Sequence, residues 1–516
     1  MQPYSTSRGV SSHRIALAIF AGMAVLLFLL HGNRMVFTND EGILLEPAQR
    51  IAQGARPYVD FFGYMTPGSY WIQALAFKLA GISLIAGRIP VILDLSLQCA
   101  LVFWLTAKLA SRSAATIALI AFTAFQIADP TFLTAQHRWD SATLALLGVC
   151  LIPHASSQGK AKPTLWLTIG ALLAAAAWCT PSVGIVLATT VVWLAARDLH
   201  AHRTLTRDFA KPFLYLTAGA AAISIAAVCL LAAQGAFGAF LEQLAWLRRN
   251  YSGINTMPYG SIIGGVDQAV KGSQGMERGV LLAVLTCVEL PAILPITAIL
   301  LWAIAAWRGK LRTDEASLIA LLLLSMTALV LTAFPRADVM HLAFVAALPY
   351  ALTAAALGRL LRGRTAAWVS MAALVFPILF TINYWNTWRT LETVASPVGT
   401  LRVQKDQAAA LRQVLTQVKP GQSLYVHPYM PILYFAAQAQ DPSRFSYLAA
   451  GMMTQQDEQQ VLSDLEKRPP QWLMYLELTR KEFLRVFPSG TNVDHRFRTL
   501  EGWLETNYRP VSDPAV

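Results

Sequence analysis

Charge is what this 516-residue sequence has least of: 14% of its residues are Asp, Glu, Lys or Arg, against 55% hydrophobic. A soluble domain of this length carries about a quarter charged residues, so the composition excludes an ordinary soluble chain. Cysteine is scarce too. The five, Cys99, Cys150, Cys179, Cys229 and Cys287, all sit in or beside apolar runs, and none lies in the polar C-terminal third. That placement argues against a disulfide framework and a thiolate metal site. There is no Walker sequence and no glycine-rich turn between a strand and a helix, so nothing resembles a soluble nucleotide-binding motif. No internal repeat and no low-complexity tract beyond alanine-rich runs is present. The apolar run from Ile15 to Leu30 follows Arg14 and ends in Leu30-His31-Gly32-Asn33-Arg34 without a small-x-small cleavage site. It therefore reads as an uncleaved first span entering from the cytoplasm.

What the sequence has instead is a series of apolar runs near the roughly 20 residues that cross a bilayer, with a mean hydropathy of +0.47. The formal net charge of +12 would suit a nucleic-acid partner, but its distribution excludes one. From Asn383 onward the balance is +1, and the rest of the excess lies in short loops between apolar runs. The basic loops hold 16 Lys and Arg against Asp198, Asp208, Asp314 and Glu315. They comprise Arg8/Arg14, Lys108/Arg112, Lys160/Lys162, Arg197 to Lys211, Arg308 to Arg312 and Arg359 to Arg364. The positive-inside rule puts these loops in the cytoplasm. The remaining connections, 129–140, 234–278 and 334–341, balance six charges of each sign and belong outside.

Alternation then predicts eleven spans, near 14–31, 88–107, 114–128, 141–153, 164–179, 182–196, 213–233, 279–305, 317–333, 342–357 and 365–382. The N-terminus lies inside and the C-terminus outside, in a bacterial inner membrane. The stretch Ser69 to Ala80 is short and carries Lys78, so it reads as a helix in the outer interface with Tyr70 and Trp71 at headgroup level. The run 164–196 is too long for one span and breaks at Thr180-Pro181. The first outer loop, from about Gly32 to Gly87, is long. Pro47 and Gly54 bracket a short amphipathic helix there. After Asn383 the apolar runs stop. The predicted organisation is a transmembrane domain, 1–382, and a small soluble α/β domain, 383–516, on the outer side. Ser423 to His427 and Gln471 to Leu476 read as buried strands, and Gln455 to Arg468 as a helix ended by Pro469-Pro470. The fold class is mainly α: a polytopic helical bundle with a small C-terminal α/β domain.

Acids and bases collect at the outer ends of these spans. Asp40-Glu41 follows the first. His137-Arg138-Trp139-Asp140 opens the fourth. The third outer connection has Glu242 and Arg248-Arg249-Asn250-Tyr251, and the fourth has Arg336-Ala337-Asp338 with His341. Group transfer from a phosphorylated lipid fits such a rim. A carboxylate can take the proton of an acceptor hydroxyl, and arginines can hold a departing phosphate.

The order of these features resembles the GT-C superfamily of membrane glycosyltransferases, nearest the branch of protein O-mannosyltransferases and aminoarabinose-type lipid A transferases. The likeness rests on Asp40-Glu41 and on Pro67-Gly68-Ser69-Tyr70-Trp71-Ile72-Gln73-Ala74-Leu75 leading to Gly81 and Arg88. Arg138-Trp139-Asp140 and Arg336-Ala337-Asp338 with His341 complete it. The resemblance implies a dolichyl- or undecaprenyl-phosphate sugar donor, inversion at the anomeric carbon, and a lipid, glycan or protein acceptor. It makes the first-loop Asp40 the base or acceptor-orienting group, with Glu41 beside it, and Asp140 the second acid. Some relatives place a lysine before the interfacial proline to bind the lipid phosphate. Here Met65-Thr66-Pro67 stands instead, which leaves Arg56, Arg138, Arg249 and Arg336 as phosphate candidates, with Tyr251 and His341 as further substrate-binding residues. Metal use varies across the superfamily, so a divalent ion is admitted as a cofactor, with His137 and His341 as ligand candidates and no metal-spaced pair evident.

Each of these residues has a plainer reading. Asp40 and Asp140 suit helix N-termini. Arg138 suits an interfacial anchor. Asp94 and Glu289, inside spans, suit interhelical hydrogen bonds and stand outside the predicted site. A transporter or flippase of lipid-linked sugars is the alternative function, but such proteins pair repeats and place polar groups at the midplane. A structural protein would leave the rim without a task.

Overall fold

The computed structural model describes residues 11–128, 130–156, 162–262, 271–311 and 313–511. Of the residues that set the expected orientation, Arg8, Asp129, Lys160, Asp267 and Arg312 lie outside them. The chain opens with α1 (Ser12–His31), whose Ser11 side chain caps the Arg14 amide. Two loop helices follow, α2 (Asn39–Ala52) and α3 (Pro67–Ala80). The bundle continues with α4 (Leu84–Leu109), α5 (Arg112–Ala128), α6 (His137–Ala155), α7 (Pro163–Cys179), α8 (Ile185–His202) and α9 (Arg207–Ala233). Next come α10 (Phe237–Asn250), α11 (Gly275–Val288), α12 (Leu290–Trp307), α13 (Thr313–Leu331), the single turn α14 (Val339–Ala343), α15 (Ala347–Leu360) and α16 (Gly363–Trp388). Among the described residues, six helical stretches are long and apolar enough to cross a membrane, 12–31, 84–109, 181–202, 207–233, 290–307 and 363–388. Shorter apolar helices lie at 112–127, 163–179 and 315–331.

Helix positions follow the apolar runs closely, with three differences, the first being that the expected span 342–357 is divided between the single turn α14 and α15. The run 279–305 is two helices, α11 and α12, meeting at Glu289, because Pro291 supplies no amide and favours a new first turn. The run 365–382 continues as helix to Trp388, so the α/β part begins with β1 (Glu392–Ser396). The break at Thr180-Pro181 is a 3-10 turn, Pro181–Gly184, between α7 and α8. Helices α7 and α9 pack backbone to backbone. A Cβ on Gly170 would lie 1.9 Å from the Leu216 carbonyl oxygen, and one on Gly219 2.0 Å from that of Leu167. Small residues allow such contact where lipid gives helices no hydrophobic reason to associate.

The loops sort to two ends of the bundle. At one end Arg359, near the end of α15, donates to the Leu109 carbonyl and pairs with Glu315 at 2.8 Å, while Lys310 donates to the Arg359 carbonyl. These belong to the basic loops. At the other end the balanced loops meet: the Met257 amide donates to the Pro335 carbonyl, and the Ala135 amide to Glu41.

The C-terminal part sits on that second end. Strand β1 pairs antiparallel with β2 (Gly399–Val403). Helix α17 (Lys405–Gln417), β3 (Leu424–His427), α18 (Ile432–Ala437), α19 (Gln455–Lys467), β4 (Trp472–Tyr475), α20 (Arg480–Val486) and α21 (Arg498–Asn507) follow. Strands β3 and β4 are parallel, with His427 beside Tyr475. The anticipated strands and helix lie at β3, β4 and α19. This part shares one apolar core with the first loop: Leu44, Leu45, Ala48, Phe77, Leu424, Ile432 and Phe435 belong to a single cluster. At Gly42 a Cβ would lie 2.2 Å from the Ile432 nitrogen, so α2 and α18 touch at the backbone.

Candidate active site

The neighbouring acids Asp40 and Glu41 open α2, where carboxylates favour the helix dipole. One residue of helix turns their side chains about 100° apart, and the two surroundings are opposite. Glu41 is fully buried. Arg88, also fully buried, forms an ion pair with it, Nε at 2.7 Å, and donates a hydrogen bond from Nη2 at 2.8 Å, while the Ala135 amide donates a second at 3.1 Å. Burial pushes the Glu41 carboxyl up, while Arg88 and the Ala135 amide pull it down. Arg88 donates further to the carbonyls of Leu133 and Arg34. One ion pair thus ties the first loop, α4 and the second loop together.

Asp40 is exposed, and it faces the phenol of Tyr447. Burial lifts the Tyr447 phenol well above its ordinary value, with Tyr429, Asp40 and Tyr251 adding to the rise and Arg336 opposing it. Three sequence-predicted residues, Asp40, Tyr251 and Arg336, thus lie within electrostatic reach of this phenol. Tyr64 donates to the Tyr447 carbonyl at 2.6 Å, which fixes the segment against the first loop.

The four candidate arginines separate by their partners. Arg56 is exposed and pairs with Asp60 at 3.0 Å. Arg249 is exposed and returns to the Ala245 carbonyl of its own helix. Arg336 is buried and committed to Asp338 (3.0 Å), Asn255 (2.9 Å) and the Val486 carbonyl (2.9 Å). Arg138 is half-buried, and its one hydrogen bond, to the Thr332 carbonyl, is long at 3.4 Å. Its charge is felt by the His341 ring: burial first, and then Arg138, lower the His341 pKa, while Asp338 opposes them. Asp338 accepts from the His341 amide and meets its Nδ1 at 2.8 Å. Burial would raise this carboxyl, but His341 and Arg336 hold it below the usual range. His137 Nδ1 lies 2.8 Å from Thr180 Oγ1, next to the helix break.

Asp140 is buried in the first turn of α6, close to Asp94 of α4 and Ser69 of α3. Thr143 serves Asp94 from one turn further along α6 and accepts from Gln98 at 2.9 Å. Asp94 and Arg88, both outside the predicted site, are thus joined to it. The signal for each was a charge inside an apolar run, but their partners are 46 and 47 positions away. Among the described residues, one group of three potential metal ligands comes together, Asp198, His202 and Asp208, and it lies in a basic loop at the other end of the bundle. Among the described residues the rim donors form no such group of three.

No protein-family model and no curated protein sequence matches this chain. Solved structures do. ArnT from Cupriavidus metallidurans bound to undecaprenyl phosphate superposes with a TM-score of 0.53 at 14% identity, over 89% of both chains. The apo oligosaccharyltransferase of Archaeoglobus fulgidus superposes with a TM-score of 0.50 at 11% identity, over 82% of this chain and 64% of the other. At these identities the likeness is one of fold, over 89% and 82% of this chain: a polytopic helical bundle of GT-C type with a small C-terminal α/β part.

Proposed function

We propose that this protein transfers a sugar from a polyprenyl-phosphate carrier to an acceptor on the outer face of the membrane, with inversion. The observation that carries the reading is the split between the two adjacent acids. Glu41 is consumed by Arg88, whereas Asp40 is an exposed carboxylate near Tyr447, which also senses Arg336, and Arg336 leads through Asp338 to His341 and Arg138. ArnT, of the same fold, is described with undecaprenyl phosphate bound, and this supports the same carrier class here.

In the step, an acceptor hydroxyl attacks the anomeric carbon from the face opposite the phosphate. Asp40 accepts the hydroxyl proton. The bond between the anomeric carbon and the phosphate oxygen breaks, and the electron pair leaves with the polyprenyl phosphate. Arg138 is the arginine least committed to protein partners, and it receives the charge that develops on that oxygen. His341, oriented by Asp338, stands beside Arg138 as a further donor to the phosphate. Glu41 and Arg88 act as positioning residues for the α2 N-terminus. Asp140, with Asp94 and Ser69, fixes α6 and so the place of Arg138. The donor is a lipid-linked hexose or pentose, the acceptor a lipid, glycan or protein, and the setting a bacterial inner membrane with the C-terminal domain outside.

Purified protein in nanodiscs, offered a panel of radiolabelled undecaprenyl-phosphate monosaccharides, tests this. Wild type should consume one donor and Asp40→Asn should not. Consumption of the same donor by Asp40→Asn at the wild-type rate would remove the catalytic assignment.

A further inference from the structure

A second polar cavity, about 550 Å³ in volume, lies within the C-terminal part. It opens where the parallel strands β3 and β4 end, at His427 and Tyr475. The carboxyl ends of parallel strands are where open α/β sheets bind ligands, and the volume falls in the usual range for small-molecule sites, roughly 300–1,000 Å³. The two terminal side chains lie with ring centroids 5.3 Å apart. Tyr475 is 40% exposed, so an aromatic ring is offered to the cavity.

The wall behind it is built rather than incidental. His427 is 2% exposed, and its Nε2 lies 3.4 Å from Glu501, itself buried. Glu501 also takes the Arg496 guanidinium and the Phe497 amide. His427 Nδ1 is buried and has no hydrogen-bond partner. Arg480 is committed to the carbonyls of Gly490, Thr491 and Val493. Both cavity cations are therefore held by protein groups. The exposed Glu477, and Glu505, which also stands 3.9 Å from the Arg496 guanidinium, offer acceptor oxygens at the mouth.

An aromatic platform with carboxylate acceptors around it is the equipment for a sugar ring. The polarised C–H face of the ring packs on the negative π face of Tyr475, and its hydroxyls donate to Glu477 and Glu505. The wall also connects to the rim. Two residues past His427, Tyr429 packs on Tyr447 with ring centroids 4.7 Å apart, and Tyr447 faces Asp40. Helix α20 runs from Arg480 at the cavity to Val486, whose carbonyl accepts from Arg336.

We infer that this cavity binds a neutral or amino-bearing glycan and presents the acceptor, or a chain attached to it, to the Asp40 rim. The choice of a glycan rests on the sugar-transfer reading above. The probes are maltotetraose, chitotetraose, its deacetylated form and tetragalacturonate, measured by saturation-transfer NMR on full-length protein in nanodiscs. Binding should appear for at least one neutral or amino-bearing probe and weaken at least tenfold in Tyr475→Ala. Tyr475→Phe, which keeps the platform, should bind as wild type does and so exclude simple misfolding. No signal from any probe, equal signal from Tyr475→Ala, or preferred binding of tetragalacturonate overturns the inference. Donor consumption run in parallel separates the two readings. Turnover without cavity binding removes this inference alone. Cavity binding without turnover removes the transfer reading, and leaves the cavity as a glycan-binding site.

Discussion

Replacing each of the two adjacent acids by its amide should give opposite phenotypes. Glu41→Gln leaves the Arg88 guanidinium buried without its counter-charge. The carbonyls of Leu133 and Arg34 still accept from Arg88, and a glutamine oxygen can still accept from Ala135, so hydrogen bonds survive and the charge balance is lost. Breaking a buried pair by removing one partner costs about 3–5 kcal/mol, and three chain segments depend on this pair. Asp40→Asn changes an exposed group with no comparable partner, and such surface changes fall within about 0.5 kcal/mol. Loss of a general base, in contrast, costs about 10²–10⁴-fold in rate. Thermal unfolding and single-turnover donor consumption in nanodiscs read the two quantities separately. Glu41→Gln should melt well below wild type, with activity per folded molecule reduced through the misplaced α2 N-terminus. Asp40→Asn should melt with wild type and be inactive. If Asp40→Asn is as destabilised as Glu41→Gln, or Glu41→Gln melts with wild type, the division of labour drawn here is wrong.

Gly42→Val should loosen the C-terminal part from α2, since a Cβ has no room beside Ile432; limited proteolysis between residues 388 and 440 should quicken while the bundle stays intact. Arg138→Ala should raise the donor KM or lower kcat by at least tenfold, and Arg249→Ala should leave both within twofold; equal effects would deny Arg138 its role at the phosphate. Burial would raise Glu501, but His427, Arg496 and the Phe497 amide hold it at about 2, below the ordinary 4.5. A depressed carboxyl lends stability that is full above the ordinary value and fades as pH falls towards 2. Acid unfolding between pH 4.5 and 2 should therefore be shallower in Glu501→Gln than in wild type.

Much of the bundle was legible because a bilayer asks for so little: long apolar runs, with basic residues at alternate ends. Pro181 marked a helix break, and the strands at 424–427 and 472–475 showed as apolar stretches; Pro47, expected at the first position of the loop helix, lies inside α2, which begins at Asn39. The β1–β2 hairpin was missed. Its one local signal is Pro397 and Gly399, the latter at φ 110° in the turn, and the flanking strands are short and half exposed. The short helix α18 was missed because Ile432 to Ala437 is apolar throughout and carries no period. Asp40 and Asp140 could be picked from their position at span ends, since charge at such an end is visible in a linear sequence.

What the sequence alone determined, then, is the membrane class, the helix positions and the gathering of charge at one rim, because each depends on local composition measured against the bilayer. The tertiary structure decided which charges are free. Glu41 and Asp40 are neighbours in sequence and equal in chemistry, and Arg88, 47 positions from Glu41, makes one a strut and leaves the other exposed. The same holds for the arginines: Arg336 is spent on Asn255, Asp338 and Val486, and Arg138 is not. Long-range ion pairs leave no periodic trace along the chain, so only the folded geometry can assign them.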